Sequence, residues 1–374
     1  MAKKYTCREG GAGLFEPLAV MYGLPPDQWK EISPGRRAIA QLSRCLPGRA
    51  RLRFCGLPSG VISVADAGDA VEELEARGEE GLYRVPRGWV WSRGAQLDEQ
   101  ARIVSEISPG LNRPPAWWFV RRQKFFPPVV ECPGTVFSMI GDDAENLYHW
   151  TFDVMPRLRL LGPARRGEVR VLARLRHPFH RASLEAAGFP PASIIPAEPM
   201  TFYRAEELLA ANVVTGVTPD NLACAREIYL KAADPVPVAK TRVRLYISRA
   251  RATSRRILNE QELLRIIEPR GFKSVFMETL PLAEQLALFR DAEAIIAPTG
   301  AALAHLHLCR PDTRLLILMP RGCADFLYRD MARTVGLTPR LLDVPLAPGS
   351  DPDPVKADLL PDEACLAAVK SDLD

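Results

Sequence analysis

A turn between two apolar stretches is the first place where this sequence could do chemistry. The letters AIIAPTGAALAHLHLC predict a buried strand that ends at Pro298 and a helix that follows the turn at Thr299. Small residues at Gly300, Ala301 and Ala302 would let a ligand approach the backbone, and the amides of a helix N-terminus favour a phosphate or diphosphate. An ordinary turn explains the same letters, because Thr299 could simply cap the helix.

A cluster of arginines follows another predicted strand. In YISRARATSRRILNE, Ser248 and Arg249 come directly after the strand, and Arg251, Arg255 and Arg256 lie in the loop behind it. Guanidinium groups bind phosphates through paired hydrogen bonds and can stabilise a departing diphosphate. A solvated basic loop is the alternative for each single arginine. Nucleic acid is not favoured as a partner, because no aromatic residues interleave with the cluster.

A histidine and an aspartate stand four residues apart in NLYHWTFDVMPR. On a helix His149 and Asp153 would share a face, so the carboxylate could orient an imidazole that acts as a general base. A core histidine satisfied by a carboxylate explains the same spacing. His305 and His307 are two residues apart and would point to different sides of a helix. Since no three ligands stand at metal spacing, we predict no metal site.

These residues need a scaffold of alternating strands and helices. Residues 138–235 show this alternation, which predicts a Rossmann-like domain with a parallel sheet covered on both faces. The helix that carries His149 is expected to end at Gly162. After the proline-rich linker Asp234–Thr241 the pattern restarts, and residues 236–345 are predicted to form a second such domain. In open parallel sheets, ligands bind beyond the carboxyl ends of the strands, where the turn and the arginines fall.

Two further segments complete the second half. NEQELLRIIEPRG predicts a helix that begins with a capping box of Asn259 and Glu262. The tail, residues 346–374, is predicted to contain an amphipathic helix around Pro361–Val369 that crosses back over the first domain.

Residues 1–137 carry weaker patterns. Short helices are predicted over 17–22 and 36–44, and aromatic runs such as GLYRVPRGWVWS and AWWFV predict β-structure. We expect a β-rich N-terminal segment that packs on the first domain. Trp117 and Trp118, beside a basic loop, would suit a peripheral contact with a membrane surface, although ordinary packing explains the same residues.

Composition limits the class of protein. The 374 residues are 47% hydrophobic and 25% charged, a balance typical of a soluble globular protein with two or three domains. The net charge of +4 is too small to indicate a nucleic-acid partner. Neither a signal peptide nor a spanning helix is predicted. The eight cysteines form no C-x-x-C pair, which favours reduced thiols, so we expect a cytoplasmic location, with contact to the inner membrane as an option.

The three motifs, in this order, resemble glycosyltransferase family 61, often described as capsular-polysaccharide biosynthesis proteins. NLYHWTFDVMPRLRLL is similar to the family's N-[YF]-[YF]-H-W-x-x-D-x-x-P-R segment, and YISRARATSRRILNEQELL to its segment that runs from S-R to N-E-x-E. LAEQLALFRDAEAIIAPTGAALAHLHLC is similar to its long block around P-H-G-A. The likeness covers roughly residues 146–320.

The resemblance implies a GT-B fold, in which two Rossmann-like domains face a cleft. It also implies a nucleotide-sugar donor, a glycan or lipid-linked glycan acceptor in bacterial surface polysaccharide synthesis, inversion at the anomeric carbon and no essential metal or other cofactor. His149 or Asp153 would then be the base. The diphosphate would be held by Ser248, Arg249, Arg255, Arg256 and the amides of Gly300, Ala301 and Ala302.

Some positions depart from the family pattern. Thr299 stands where the family has histidine, His305 where it usually has asparagine, and Leu318 or Met319 where it has glutamate. Asn259 and Glu260 keep the family's N-E positions, and Glu260 could reach the nucleotide or an arginine. The departures fall on the presumed donor side. They motivate an alternative hypothesis, a catalytically inactive relative that binds a glycan or a partner enzyme.

Overall fold

Two β-sheets organise the part of the chain that the computed structural model describes, namely residues 64–65, 72–92, 94–99, 103–104, 107–108, 129–141, 143–199 and 201–374. Helices alternate with the parallel strands of both sheets, so the predicted α/β class is confirmed. The helices predicted over 17–22 and 36–44, the strand AWWFV and the tryptophan pair within it lie outside the described residues.

The first sheet mixes parallel and antiparallel strands. Its strands are β1 Val64–Ala65, β2 Glu72–Arg77, β3 Glu80–Pro86, β4 Trp89–Trp91, β5 Gln96–Leu97, β6 Ile103–Val104, β7 Val129–Ser138, β8 Arg170–Ala173, β9 Ile194–Pro196 and β10 Phe202–Asn212. Strand β10 pairs in parallel with β7 along one edge and antiparallel with β3 and β4 along the other. The prediction of a purely parallel sheet is therefore wrong here. The reason is that β10 pairs along its second edge with strands that precede it in the chain. Its letters FYRAEELLAAN include many helix-favouring residues and do not reveal this pairing.

The second sheet is parallel throughout its described strands. These are β11 Val243–Ile247, β12 Phe272–Val275, β13 Ala292–Pro298, β14 Arg314–Pro320 and β15 Pro339–Val344, in the spatial order β12-β11-β13-β14-β15. Successive residues of β13 face opposite cores: Ile295 packs with one hydrophobic cluster and Ile296 with another. Helices cover both faces, as the uninterrupted apolar strand letters predict.

Helices connect the strands in the described part of the chain. They are α1 Leu147–His149, which continues as the π-helical turn Trp150–Val154, α2 Arg157–Arg165, α3 Pro178–Ala186, α4 Pro219–Ala233, α5 Glu260–Ile267, α6 Leu282–Arg290, α7 Leu327–Thr334 and α8 Glu363–Leu373. The 3-10 segments are Pro191–Ser193, Glu268–Arg270, Met277–Thr279 and Ala301–Leu308. The predicted helix end at Gly162 is a break within α2, where the glycine has φ 72°.

Helix α4 lies between the two sheets and belongs to both hydrophobic cores. Cys224 and Ile228 pack with the first sheet, whereas Ala225 and Tyr229 join the cluster that contains Ile295 of the second. Tyr229 and Ile228 are 0% and 1% exposed. The two sheets therefore pack on opposite faces of one helix, and the apolar residues on both faces are buried.

The change from one sheet to the other falls between β10 and β11. The predicted linker Asp234–Thr241 lies in that interval, directly after α4. It is tied to the second sheet, because Ala239 N–H donates to Asp291 Oδ2 at 2.9 Å and Arg290 donates to the Val236 carbonyl at 3.1 Å.

The C-terminal tail packs on the second sheet. Val369 of α8 joins the cluster of Leu263 on α5, and Arg340 on β15 forms an ion pair with Asp372. The expectation that the tail crosses back over the first domain is therefore corrected, because the apolar face of α8 is buried on its own half of the chain. None of the helices in the described ranges combines the length and the apolar character needed to cross a membrane.

Candidate active site

The turn after β13 brings a small-residue segment to the carboxyl edge of the second sheet. Thr299 N–H donates to the carbonyl of Leu318 on β14 at 3.1 Å, and Thr299 is only 6% exposed. Gly300, not Thr299, occupies the cap position of the 3-10 helix Ala301–Leu308, and no side chain caps that helix. The alternative in which Thr299 caps the helix is therefore wrong. The segment is buried on most sides, so tertiary packing decides its tighter helical form.

Arg249 lies directly over Gly300. A Cβ at position 300 would overlap the Nη1 nitrogen of Arg249 and would lie 3.2 Å from its Cζ. The φ of 173° at Gly300 is extended backbone that any residue adopts, so the guanidinium, not the backbone, requires glycine here. The Nε and Nη2 groups of Arg249 donate to the Ser254 carbonyl at 3.1 and 3.0 Å. This arrangement aims a fixed guanidinium at the turn.

A second arginine stands beside the first. Burial, and next the positive charge of Arg255, lower the pKa of Arg249 to about 10. Neither arginine forms an ion pair with a carboxylate of the described residues, although Asp358 and Glu278 act on Arg249 from a greater distance. Two cations that no carboxylate of the described residues pairs with, one of them next to a small-residue turn, have the charge that would suit a multiply charged anion.

Glu260 organises the end of β11. Its Oε1 accepts hydrogen bonds from the Ser248 hydroxyl at 2.7 Å and the Tyr246 hydroxyl at 2.8 Å. Ser248 is 2% exposed, so these bonds fix the strand end from which Arg249 projects. The predicted capping box is wrong, because Asn259 makes no cap bond and donates instead to Glu262 Oε2 at 2.9 Å.

The predicted contact between His149 and Asp153 is confirmed. His149 Nδ1 and Asp153 Oδ2 are 2.6 Å apart, and Asp153 Oδ1 accepts from Gly216 N–H at 2.8 Å. Asn146 begins this helix, since its side chain accepts from Tyr148 N–H at 2.8 Å. The imidazole is 36% exposed and the carboxylate 19% exposed. A carboxylate held at both oxygens can orient the histidine and keep its proton on Nδ1, which places the lone pair on Nε2.

A pair of tyrosines joins the two groups of charged residues. The rings of Tyr148 and Tyr328 meet edge to face with centroids 6.0 Å apart. Burial, followed by the charge of Asp153, raises the pKa of Tyr148 to about 12. Burial also raises the pKa of Tyr328, while the nearby arginines 255 and 249 oppose that rise. The histidine-aspartate pair and the arginine pair therefore lie on either side of one tyrosine contact.

Tyr148 and Tyr328 were not predicted as site residues. Tyr148 is adjacent to the predicted base, but the sequence around it is equally compatible with an aromatic residue of the core. Tyr328 lies on α7, in a segment that carries no motif. Their position follows only from the structure, in which α1 and α7 both pack against the 3-10 helix Ala301–Leu308.

Two other predicted residues have different surroundings. Arg256 forms an ion pair with Asp358 of the tail, and its side chain is 44% exposed. His305 is 0% exposed, and its Nε2 lies 3.2 Å from Gln285 Oε1 on α6. Its ring also contacts Phe289 edge to face, with centroids 5.4 Å apart. The structure thus places the His305 imidazole in the core between α6 and the 3-10 helix.

The buried histidines make stability depend on pH. Burial lowers the pKa of His305 to about 3 and that of His307 to about 4, so both are neutral in the folded protein. In the unfolded chain they bind protons below about pH 6.5. The contribution of these two histidines to the free energy of unfolding is therefore fully present above about pH 6.5. It is lost as the pH falls toward 4, by up to about 1.4 kcal/mol per pH unit for each histidine.

We expect His305→Asn to reduce this acid sensitivity. Chemical denaturation at pH 7.0 and 5.0 should show a smaller loss of unfolding free energy for the variant than for the natural chain, by roughly 1 to 2 kcal/mol. His177→Asn is the control, because the His177 ring is exposed. Equal losses for the His305 variant and the natural chain would contradict a neutral buried imidazole.

The described part of the chain contains no pre-formed metal site. Among those residues, no group of three or more histidine, cysteine, aspartate or glutamate side chains is placed to hold an ion.

Comparison with known proteins shows which family part of the chain resembles. The glycosyltransferase 61 family model matches residues 147–316. A curated protein from Drosophila melanogaster, the EGF domain-specific O-linked N-acetylglucosamine transferase, is 36% identical over 105 residues, which are 27% of this chain and 19% of that protein. The match thus spans about a fifth of that relative's length. The matched segment, residues 147–316, contains the His149–Asp153 pair, the arginines and the turn at Gly300, and the family of the matching model is the one that the three motifs resemble.

Proposed function

We propose that this protein transfers a sugar from a nucleotide-sugar donor to a glycan acceptor, with inversion at the anomeric carbon. The observation that carries the proposal is the Arg249 guanidinium, which lies over the small-residue turn at Gly300, is near enough to Arg255 to feel its charge, and is paired, like Arg255, with no carboxylate of the described residues. A diphosphate leaving group has the charge and size that such a pair complements.

The proposed base is His149, oriented by Asp153. The acceptor hydroxyl would attack the anomeric carbon while the Nε2 of His149 takes its proton. Asp153 would stabilise the imidazolium that forms, because its Oδ2 is 2.6 Å from Nδ1 and its other oxygen is held by the Gly216 amide. One displacement at the anomeric carbon, with the base on the side opposite the leaving group, inverts the configuration.

The two arginines would neutralise the departing diphosphate. As the bond between the anomeric carbon and the phosphate oxygen breaks, negative charge grows on that oxygen, and fixed cations there lower the barrier. This role supports a reaction without a bound metal ion. The amides of Gly300, Ala301 and Ala302 are proposed to contact the same phosphates.

We further propose a role in bacterial surface polysaccharide synthesis, on the cytoplasmic side where nucleotide sugars are available, with a glycan or lipid-linked glycan as acceptor. The glycosyltransferase 61 segment supports the class of reaction. The name of the Drosophila relative describes transfer of N-acetylglucosamine to EGF domains, which makes a nucleotide-activated N-acetylhexosamine the first donor to test.

The direct test is a screen of nucleotide sugars. We expect one nucleotide class to raise the melting temperature at millimolar concentration and the matching sugar nucleotide to be hydrolysed or transferred in the presence of glycan acceptors. Binding without any hydrolysis or transfer would favour the inactive, glycan-binding relative that Thr299 and His305 motivate. No shift with any nucleotide would refute the proposal.

Gly300→Ala tests the arginine position without removing the arginine. The new methyl group would occupy the place of Arg249 Nη1 and push the end of that side chain away from the turn. We expect an unchanged melting temperature without ligand and an affinity for nucleoside diphosphate that is about 10-fold weaker. Gly167→Ala is the matched control, because a Cβ there meets no atom within 4 Å. Equal affinities for the two variants would contradict the proposed position of the diphosphate.

A further inference from the structure

We infer that Asp358, in the C-terminal tail, is a positioning residue of the donor site. We define the arginine loop as residues 249–256 and the strap as residues 358–361. The strap holds the arginine loop in the conformation that aims Arg249 and Arg255 at the anion. The inference rests on the proposed function for its ligand. By this inference the tail, which carries none of the three motifs, contributes a residue that positions the donor site.

The strap binds the end of the arginine loop through backbone and side chain. Leu359 N–H donates to the Arg256 carbonyl at 2.8 Å, and Leu258 N–H donates to the Leu359 carbonyl at 2.9 Å. The Asp358 carboxylate accepts three hydrogen bonds from Arg256, from the backbone N–H at 2.9 Å, from Nε at 3.0 Å and from Nη2 at 2.5 Å. Ile257 and Leu359 also form a parallel β-bridge. The strap thus acts as a short added strand alongside the loop.

The strap is itself firmly anchored. Leu359 is 0% exposed and Ile257 is 3% exposed, and both pack in the cluster of Val344 on β15. Asn259 donates to the Pro361 carbonyl at 3.0 Å. The Asp358 side chain is only 13% exposed. The buried side chains of Leu359 and Ile257 thus hold the strap against the loop and limit the positions that the Asp358 carboxylate can reach.

The residue that most needs this support is Arg255. Its φ of 56° is left-handed, a conformation that is unfavourable for a non-glycine residue. Hydrogen bonds bracket it on both sides: the Ser254 carbonyl accepts from Arg249, and the Arg256 amide donates to Asp358. Such a conformation persists only where the surroundings fix it, and Asp358 supplies one of the two fixing contacts.

Charge explains why an outside support is needed. Arg249 and Arg255 repel each other, and nothing within the loop neutralises them. The Asp358 carboxylate acts on Arg249 from a distance and opposes the lowering of its pKa. Asp358 also engages Arg256, whose hydrogen bonds are the first cause that lowers the pKa of Asp358. Arg256 therefore anchors the strap, and its effect on ligand binding runs through Asp358.

Hydrogen exchange measures the loop without any ligand. In Asp358→Ala, and more weakly in Asp358→Asn, we expect the amides of Arg256 and Leu258 to lose protection. Asp372→Ala is the matched control, because Asp372 is also a tail carboxylate, is also 13% exposed and pairs with Arg340 away from the loop. The control should leave both amides protected.

Ligand binding completes the test. The probes are inorganic pyrophosphate, UDP, GDP, CDP and ADP. For whichever of them binds the natural chain, we expect Kd to rise about 10-fold or more in Asp358→Ala and less than about twofold in Asp372→Ala. The double variant Arg256→Ala/Asp358→Ala should bind no more weakly than Asp358→Ala, because both residues act through one contact.

The outcomes separate this inference from the proposed function. Natural-chain binding that Asp358→Ala leaves unchanged would overturn the inference, whether or not the loop amides lose protection. Additive losses in the double variant would overturn it too, since Arg256 would then contact the ligand. If the natural chain binds none of the probes, the proposed function fails. Hydrogen exchange would still show whether the strap orders the loop.

Discussion

His149→Ala is expected to lower kcat by about 10²- to 10⁴-fold while the Kd for nucleoside diphosphate stays unchanged. The imidazole would act on the acceptor proton and not on the leaving group, so its loss affects the chemical step alone. Initial rates of sugar transfer and a calorimetric titration with the diphosphate measure the two quantities separately. His177→Ala, at an exposed histidine on the same half of the chain, is the control.

Asp153→Asn distinguishes orientation from direct proton transfer. An amide would no longer favour the proton on Nδ1 of His149, so we expect a loss of kcat by about 10²-fold or more. If Asp153→Asn abolishes turnover while His149→Ala keeps at least half of it, Asp153 is the base and the histidine is auxiliary. Full activity of both variants would refute the assignment of this pair.

Arg249→Ala is expected to remove most of the affinity for nucleoside diphosphate. Loss of two charge-assisted hydrogen bonds to phosphate costs roughly 3 kcal/mol, which is about a 100-fold rise in Kd. The stabilising thermal shift should disappear at ligand concentrations that saturate the natural chain. Arg249→Lys keeps the charge but not the fork, so it should recover only part of the affinity.

The control for Arg249 is Arg251. It lies in the same loop, but its guanidinium stacks over the ring of Phe276 at 4.3 Å from the centroid, so it already has a partner. Arg251→Ala should change Kd by less than about twofold. If Arg249→Ala and Arg251→Ala have equal effects, the loop acts through its overall charge and not through a formed site.

The sequence predicts the site through its local spacings. The interval of four between His149 and Asp153 is a helical neighbour distance, and their contact follows from it. Likewise, an apolar run that stops at Pro298 predicts the strand end at which the turn lies. Both features depend on short segments, and both are found in the structure.

Long-range contacts could not be predicted in this way. Nothing in the letters around Asp358 shows that it pairs with Arg256, 102 residues earlier in the chain. The same holds for β10, whose helix-favouring letters form a strand because it has partners on both edges. Thr299 and Asn259 are residue types that cap helices, yet neither side chain makes a cap hydrogen bond, because packing of the strand end and of the tail decides their contacts.

Helix α4 has a consequence for how the chain unfolds. Since Ile228 is sealed in one core and Tyr229 in the other, separating the two halves would expose apolar surface on both faces of the same helix. The halves should therefore melt in a single cooperative transition, and neither should be stable when expressed alone. A ligand bound only beside Gly300 would then protect the first sheet from heat as well, so one melting curve reports occupancy for the whole described structure.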